Sequence, residues 1–153
     1  MFLTEVTAAL AQARIPYALV GGYAVALHGA VRGTVDVDLV IRLRESDLRR
    51  VERVLNDLGL RSRLPLAAAD VFAYREEYIR NRNLTAWSFV NGSRPSEIVD
   101  VILTHDVDDM QVTTKRVRGR TVRVASIADL IEMKKDTGRP QDREDVRVLE
   151  KLL

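Results

Sequence analysis

The chain has 153 residues, a length that fits one domain with one hydrophobic core. Hydrophobic residues make up 46% of it and no run of about 20 apolar residues is present, so we expect a soluble protein. The net charge of +2 neither indicates nor excludes a nucleic-acid partner, and the absence of cysteine excludes disulfides, thiolate zinc sites and cysteine nucleophiles. Residues 1–14 lack a basic segment followed by an apolar one, so we expect a cytoplasmic protein without a signal peptide.

The first third of the chain predicts a helix, a strand and a second helix. Apolar residues at helical spacing indicate a helix over residues 2–14, which Pro16 ends. Residues 17–20 form a short apolar strand that leads into Gly21 and Gly22, and residues 23–30 read as a helix of small residues. The two glycines are therefore expected to form a turn between the strand and the helix.

The middle of the chain predicts three strands and two helices. Alternating apolar and acidic residues indicate a strand over residues 35–41, and Ser46 is expected to cap the helix that runs up to Gly59. A weakly amphipathic helix follows over residues 70–82. Residues 84–90 and 97–103 predict two strands that pair as a hairpin around the turn formers of residues 91–95.

The last third predicts a smaller hairpin over residues 117–124, a helix capped by Ser126 and a final helix over residues 142–153. This order indicates a single domain, residues 1–153, of the mixed α/β (α+β) class. We expect one mixed sheet with helices packed mainly on one face.

Three aspartates on two predicted strands form the candidate metal site. Because side chains on a strand alternate, Asp36 and Asp38 project from the same face. Asp100 stands alone in an apolar strand, where an unpaired carboxylate is costly. If the two strands are neighbours, the three carboxylates converge, and divalent cations such as Mg²⁺ or Mn²⁺ relieve their repulsion. All three aspartates are therefore predicted metal ligands and catalytic residues.

Gly21 and Gly22 predict the other half of the site. Glycines after a strand let the backbone approach phosphate oxygens, and the N–H groups of the next helix face the anion. A nucleoside triphosphate is the ligand that such a site and its metal would share.

These residues resemble the nucleotidyltransferase superfamily related to DNA polymerase beta, whose signature is a diglycine or glycine-serine, an aspartate-x-aspartate pair and a later lone aspartate. The stretch from Arg32 to Asp38 resembles the minimal nucleotidyltransferases of toxin–antitoxin systems, including AbiE-type toxins. The resemblance implies a nucleotidyltransferase-like sheet and transfer of a nucleoside monophosphate from a triphosphate such as ATP to an acceptor hydroxyl of RNA or protein. Because those toxins carry a further domain, it also leaves room for a partner protein or a homo-oligomer.

The resemblance extends loosely to Lys134 and Asp142, which match downstream lysine and aspartate motifs of that group. Lys134 is accordingly assigned to nucleotide binding, whereas Asp142 serves equally well as a helix cap. Arg32 and Thr34 are assigned to the nucleotide because they suit phosphate oxygens.

Other interpretations stay open at this stage. The five cations between Lys115 and Arg123 either contact RNA or form a solvated hairpin. The chain is either an enzyme or a non-catalytic member of the same fold that binds a nucleotide or a partner. A small-molecule transferase of the aminoglycoside type would need an acidic acceptor pocket, for which the sequence offers Asp106, Asp108 and Asp109.

Overall fold

The computed structural model describes residues 1–30, 33 and 36–153. Arg32 and Thr34, which the sequence assigns to nucleotide binding, lie outside the described residues.

Helices and strands alternate through most of the described chain. The helices are α1 (Phe2–Gln12), α2 (Gly21–Leu27), α3 (Glu45–Asp57), α4 (Ala68–Arg82), α5 (Ile127–Lys135) and α6 (Pro140–Lys151). The strands are β1 (Tyr17–Val20), β2 (Val37–Ile41), β3 (Leu60–Ser62), β4 (Ala86–Asn91), β5 (Ile98–Ile102), β6 (Val112–Val117) and β7 (Arg120–Ala125). None of the described helices is long and apolar enough to cross a bilayer.

One sheet contains all of these strands in the order β3-β4-β5-β2-β1-β7-β6. β2 runs antiparallel to β1 and parallel to β5, so the sheet is mixed. Both predicted hairpins are confirmed, because β4 pairs antiparallel with β5 and β6 pairs antiparallel with β7. The predicted mixed α/β architecture is therefore confirmed.

The hydrophobic core covers both faces of β2, because Val40 on the Asp38 face is fully buried as well as the alternate residues on the opposite face. Val37, Leu39 and Ile41 are fully buried there, as the alternating pattern predicts. Helices α1 and α4 both contact α3, whereas α2 and α6 both contact α5. The apolar face of β2 leaves Asp38 on the other face of the sheet, where the second group of helices forms a cleft.

Several element boundaries differ from the predicted ones. Gly21 and Gly22 are the first residues of α2 and not a turn before it. Ser46 does not cap α3, since Arg44 takes that position in an extended conformation and acidic residues fill the first turn, where they complement the helix dipole. Asp142 is not a cap either, because Pro140 starts α6 and the cap is Arg139.

Candidate active site

The site is built on the two strands whose pairing brings Asp38 next to Asp100. These aspartates are register partners in the parallel pair of β2 and β5, and Asp36 immediately precedes β2. Ser88 faces Asp100 from the neighbouring strand β4, and its hydroxyl donates a hydrogen bond of 2.5 Å to Asp100 Oδ1. The predicted neighbourhood of the two strands is present, and Ser88 holds one carboxylate in place.

Gly21, the residue after β1, closes the site on the side of β2 opposite β5. It has a φ of +70°, a conformation that side-chain-bearing residues rarely adopt. A Cβ at this position would lie 2.8 Å from Asp38 Cγ and closer still to Oδ2. The backbone at the start of α2 therefore packs directly against the Asp38 carboxylate, and only glycine leaves room for both.

The carboxylates perturb one another. Burial, and then the charge of Asp100, its hydrogen bond with Asp38 and the charge of Asp36, raise the pKa of Asp38 to about 7, while Lys134 opposes the shift. Burial and the charge of Asp100 also raise the pKa of Asp36, against the opposing charge of Arg63. A proton or a cation is therefore needed to stabilise this group of acids.

A divalent cation suits these side chains. Carboxylate oxygens are hard ligands that Mg²⁺ and Mn²⁺ prefer, and a bound cation relieves the repulsion that raises the pKa of Asp38. Among the described residues, no three His, Cys, Asp or Glu side chains are grouped closely enough to form a preformed metal site. The chemistry of these acids therefore fits the predicted metal, and Asp36, Asp38 and Asp100 all line one cleft, while their shared binding of a metal stays a prediction.

The opposite wall of the cleft comes from α5, α6 and the turn between them. The cleft has a volume of about 830 Å³, and Asp38 and Asp100 share it with Lys134, Arg139 and Asp142. The cleft is large enough for a drug-sized ligand, since such sites usually enclose about 300–1,000 Å³. Carboxylates thus face cations across it.

Lys134 lies deeper in this wall than a surface lysine would. Its side chain is 9% exposed, and Nζ lies 2.9 Å from Asp145 Oδ2 and 3.5 Å from Asp142 Oδ1. Burial alone would raise the pKa of Asp142, but hydrogen bonds from Arg139 and Thr137 and the charges of Arg139 and Lys134 outweigh it and lower that pKa. Lys134 therefore belongs to a buried ion network beside the cleft, and its contact with a nucleotide stays a prediction.

Three contributors to the site were missed from the sequence. Ser88 could have been found, because the hairpin register places it opposite Asp100. Arg63 follows β3, a strand too short to show any periodicity. Arg139 carries no signal at all, since an arginine in a turn between helices is normally a solvated side chain.

The β6–β7 hairpin, which carries the five cations between Lys115 and Arg123 and is called the basic hairpin below, lies apart from this cleft. Its turn is at the end of the β6–β7 pair opposite Ala125, where β7 comes close to the site. Five residues of extended strand separate Ala125 from Arg120, which is about 17 Å. In the described part of the chain, no residue of the range 115–123 lines the cleft.

Comparison with known proteins identifies the family of the chain. A family model described as aminoglycoside-2''-adenylyltransferase matches residues 2–149. The chain belongs to the aminoglycoside-2''-adenylyltransferase family. No curated protein sequence matches the chain. The predicted nucleotidyltransferase fold is thus confirmed, and the AbiE-type subgroup is not.

Solved structures of nucleotidyltransferase-like proteins share the fold. The lincomycin-bound lincosamide antibiotic adenylyltransferase LnuA superposes with a TM-score of 0.65 and 14% identity over 99% of this chain and 96% of its own. ANT(2'')-Ia in complex with adenylyl-2''-tobramycin gives 0.58 and 17% over 97% and 88%. An antigenic nucleotidyltransferase-like protein from Paracoccidioides brasiliensis gives 0.60 and 17% over 98% and 72%. At these identities the likeness shows the fold alone.

Proposed function

We propose that this member of the aminoglycoside-2''-adenylyltransferase family is a metal-dependent nucleotidyltransferase that moves a nucleoside monophosphate from a triphosphate to an acceptor hydroxyl. The observation that carries the proposal is the Asp38–Asp100 pair, which lies at one cleft with Gly21 packed against it. The contact with a glycine backbone and the pKa of Asp38 raised to about 7 are both more typical of a functional carboxylate than of a structural one.

Asp38 and Asp100, with Asp36 nearby, would hold the divalent cation. When bound, the cation neutralises charge on the phosphate oxygens and lowers the pKa of the acceptor hydroxyl. Ser88 keeps the Asp100 carboxylate oriented through its 2.5 Å hydrogen bond. Gly21 and Gly22 allow the phosphates to approach the backbone at the start of α2, and Arg32, Thr34 and Lys134 stay predicted nucleotide contacts.

The bond changes balance within this set of groups. The acceptor oxygen forms a bond to the α-phosphorus and gives up its proton to a carboxylate such as Asp100. The bond between the α-phosphorus and its bridging oxygen breaks, and that electron pair leaves on pyrophosphate. No covalent enzyme intermediate is required, so the protein contributes position and electrostatics.

The acceptor that the structure favours is a cationic small molecule. A second pocket of about 550 Å³ is lined by the acidic residues Asp106, Asp109, Asp129 and Glu132. It shares Thr104, His105 and Met133 with the nucleotide cleft, so the two cavities adjoin. Opposite charge lining a pocket favours capture of a polyamine. The family match supports the same acceptor class.

RNA or protein as the acceptor, in a toxin–antitoxin module, stays the competing prediction. The basic hairpin that would bind RNA is distant from the cleft, which weakens this alternative. Cytoplasmic location and association with a partner protein or a second copy also stay predictions.

Transfer of label from α-labelled nucleoside triphosphates tests the proposal. With Mg²⁺, tobramycin or bulk tRNA serves as the acceptor. We expect label on tobramycin, and we expect Asp100→Asn to lower transfer by on the order of a hundredfold or more, because it removes a metal ligand and proton acceptor. Asp57→Asn, an exposed acid at the end of α3, is the control and should transfer as the wild type does.

Other outcomes have distinct meanings. Label on tRNA instead of tobramycin would restore RNA as the acceptor. Thermal stabilisation by Mg²⁺ and nucleotide without any transfer would favour the non-catalytic binder. Absence of both stabilisation and transfer would contradict the nucleotide site itself.

A further inference from the structure

The turn between α5 and α6 presents a second cation to the cleft. Lys134 and Arg139 both pair with Asp142, whose side chain is 3% exposed. The two cations differ in access, because the Lys134 side chain is 9% exposed and the Arg139 side chain 74%. A ligand in the cleft can therefore reach Arg139 without disturbing buried structure.

Lys134 is less able than Arg139 to turn towards the outer phosphates. Asp142 and Asp145 together place two carboxylates on its ammonium group. If Lys134 moved to a phosphate, both buried carboxylates would lose its charge and Asp142 would keep only Arg139, which is costly. Its position therefore supports a structural role that joins α5 to α6.

Arg139 is held in a fixed orientation by one edge of its guanidinium group. Nε lies 2.8 Å from Asp142 Oδ2, and Nη2 lies 3.4 Å from Oδ1. The hydrogen bond and the charge of Asp142 raise the pKa of Arg139, so the side chain stays charged. This forked contact uses the Nε and Nη2 edge and leaves the Nη1 edge for another acceptor.

We propose that Arg139 binds the outer phosphates of the triphosphate and then the leaving pyrophosphate, with Asp142 as its positioning residue. This inference rests on the proposed nucleotidyltransferase function. Arg139 lines the same cleft as Asp38 and Asp100, across from the carboxylates that would act at the α-phosphate. Negative charge grows on the pyrophosphate as its bond to the α-phosphorus breaks, and an arginine already fixed in place stabilises that charge without reorganisation.

Thermal unfolding with Mg²⁺ and either ATP or AMP tests the inference without using transfer activity. ATP should stabilise the wild type more than AMP does. In Arg139→Ala the additional stabilisation by ATP should be lost, and the apparent Kd for ATP should rise on the order of tenfold to a hundredfold. Arg139→Lys should recover part of the loss, because a lysine keeps the charge without the fork. Arg147→Ala is the matched control, an exposed arginine further along α6 that pairs with Glu144.

Each further result has one interpretation. Equal ATP stabilisation in Arg139→Ala and the wild type overturns the inference and leaves the proposed function standing. Equal loss of ATP and AMP binding assigns Arg139 to the nucleoside end or to the fold, which also overturns it. No ATP stabilisation of the wild type contradicts the proposed function itself.

Discussion

Protonation of Asp38 makes the stability of the protein depend on pH. Its pKa of about 7 in the folded protein lies above the value near 3.9 of an unfolded aspartate. Between about pH 4 and pH 7 the unfolded chain has released this proton while the folded chain keeps it. Stability therefore falls as the pH rises through this window, and the penalty is complete above about pH 7.

Asp38→Asn should remove this penalty. In EDTA at pH 8 we expect the variant to be more stable than the wild type by roughly 2 kcal/mol, after allowance for solvent screening, because no charge faces the Asp100 carboxylate. The difference should shrink as the pH falls towards about 4. Urea unfolding at pH 8 and pH 5 measures it, with Asp57→Asn as the control. A variant less stable than the wild type at pH 8 would mean that the carboxylate is held by a favourable contact instead.

Gly21 allows a second prediction at this scale. Gly21→Ala combines a positive φ with a Cβ that overlaps the Asp38 carboxylate, so we expect a loss of about 2–4 kcal/mol of unfolding free energy. Gly92→Ala is the matched control, since its Cβ would meet nothing within 4 Å, and it should change stability by about 0.5 kcal/mol or less. Equal urea midpoints for the two variants would show that α2 can shift away from β2.

The β6–β7 hairpin is a candidate RNA-binding surface that lies apart from the cleft where transfer would occur. Its turn residues Arg118 and Gly119 both have positive φ, which gives a tight two-residue connection that exposes the neighbouring cations. Because this turn lies apart from the cleft, the phosphates bound here would not be those beside the Asp38–Asp100 pair. The hairpin is therefore a candidate surface for RNA but a poor acceptor site.

Replacing Arg116, Arg118 and Arg120 with Gln should weaken tRNA binding and reduce its dependence on salt, because each lost phosphate contact lowers the log–log slope by about 0.7–0.9. Transfer to tobramycin should not change. Filter binding at two salt concentrations measures the tRNA affinity and its salt slope. The variant with Lys at all three positions, which keeps the charges, is the control. Identical affinities and slopes for the Gln variant and the wild type would identify the hairpin as a solvated edge.

For the whole molecule, the strands of the site could be predicted because one-sided burial leaves a regular pattern. Val37 and Leu39 alternate with Asp36 and Asp38, and Asp100 interrupts an apolar strand, so both strands and their neighbourhood could be predicted from the cost of burying a lone acid. The ends of helices were less predictable. Ser126 does cap α5, but Ser46 lies inside α3, because several residues near a helix start can take the cap position.

The cationic wall of the site could not be predicted. Whether Lys134 is buried depends on the packing of α5 against α6 and on Asp145, one turn along from Asp142. Neither periodicity nor a motif reports such a contact between helices. The short strand β3 was not predicted either, because only Leu60 of its residues is buried and no alternating pattern results.

The sheet order has a consequence for how the protein acquires its site during synthesis. β1 pairs with β7 through Leu19 and Val124, and β2 pairs with β5 through Asp38 and Asp100, so the central strands wait for partners made much later. Such distant pairings make folding slow. A nascent chain that has passed Asp100 but not Lys134 can pair β2 with β5 before the opposing cations Lys134 and Arg139 are made. In such a partial chain the acids would repel one another without the cations of α5 and α6 facing them.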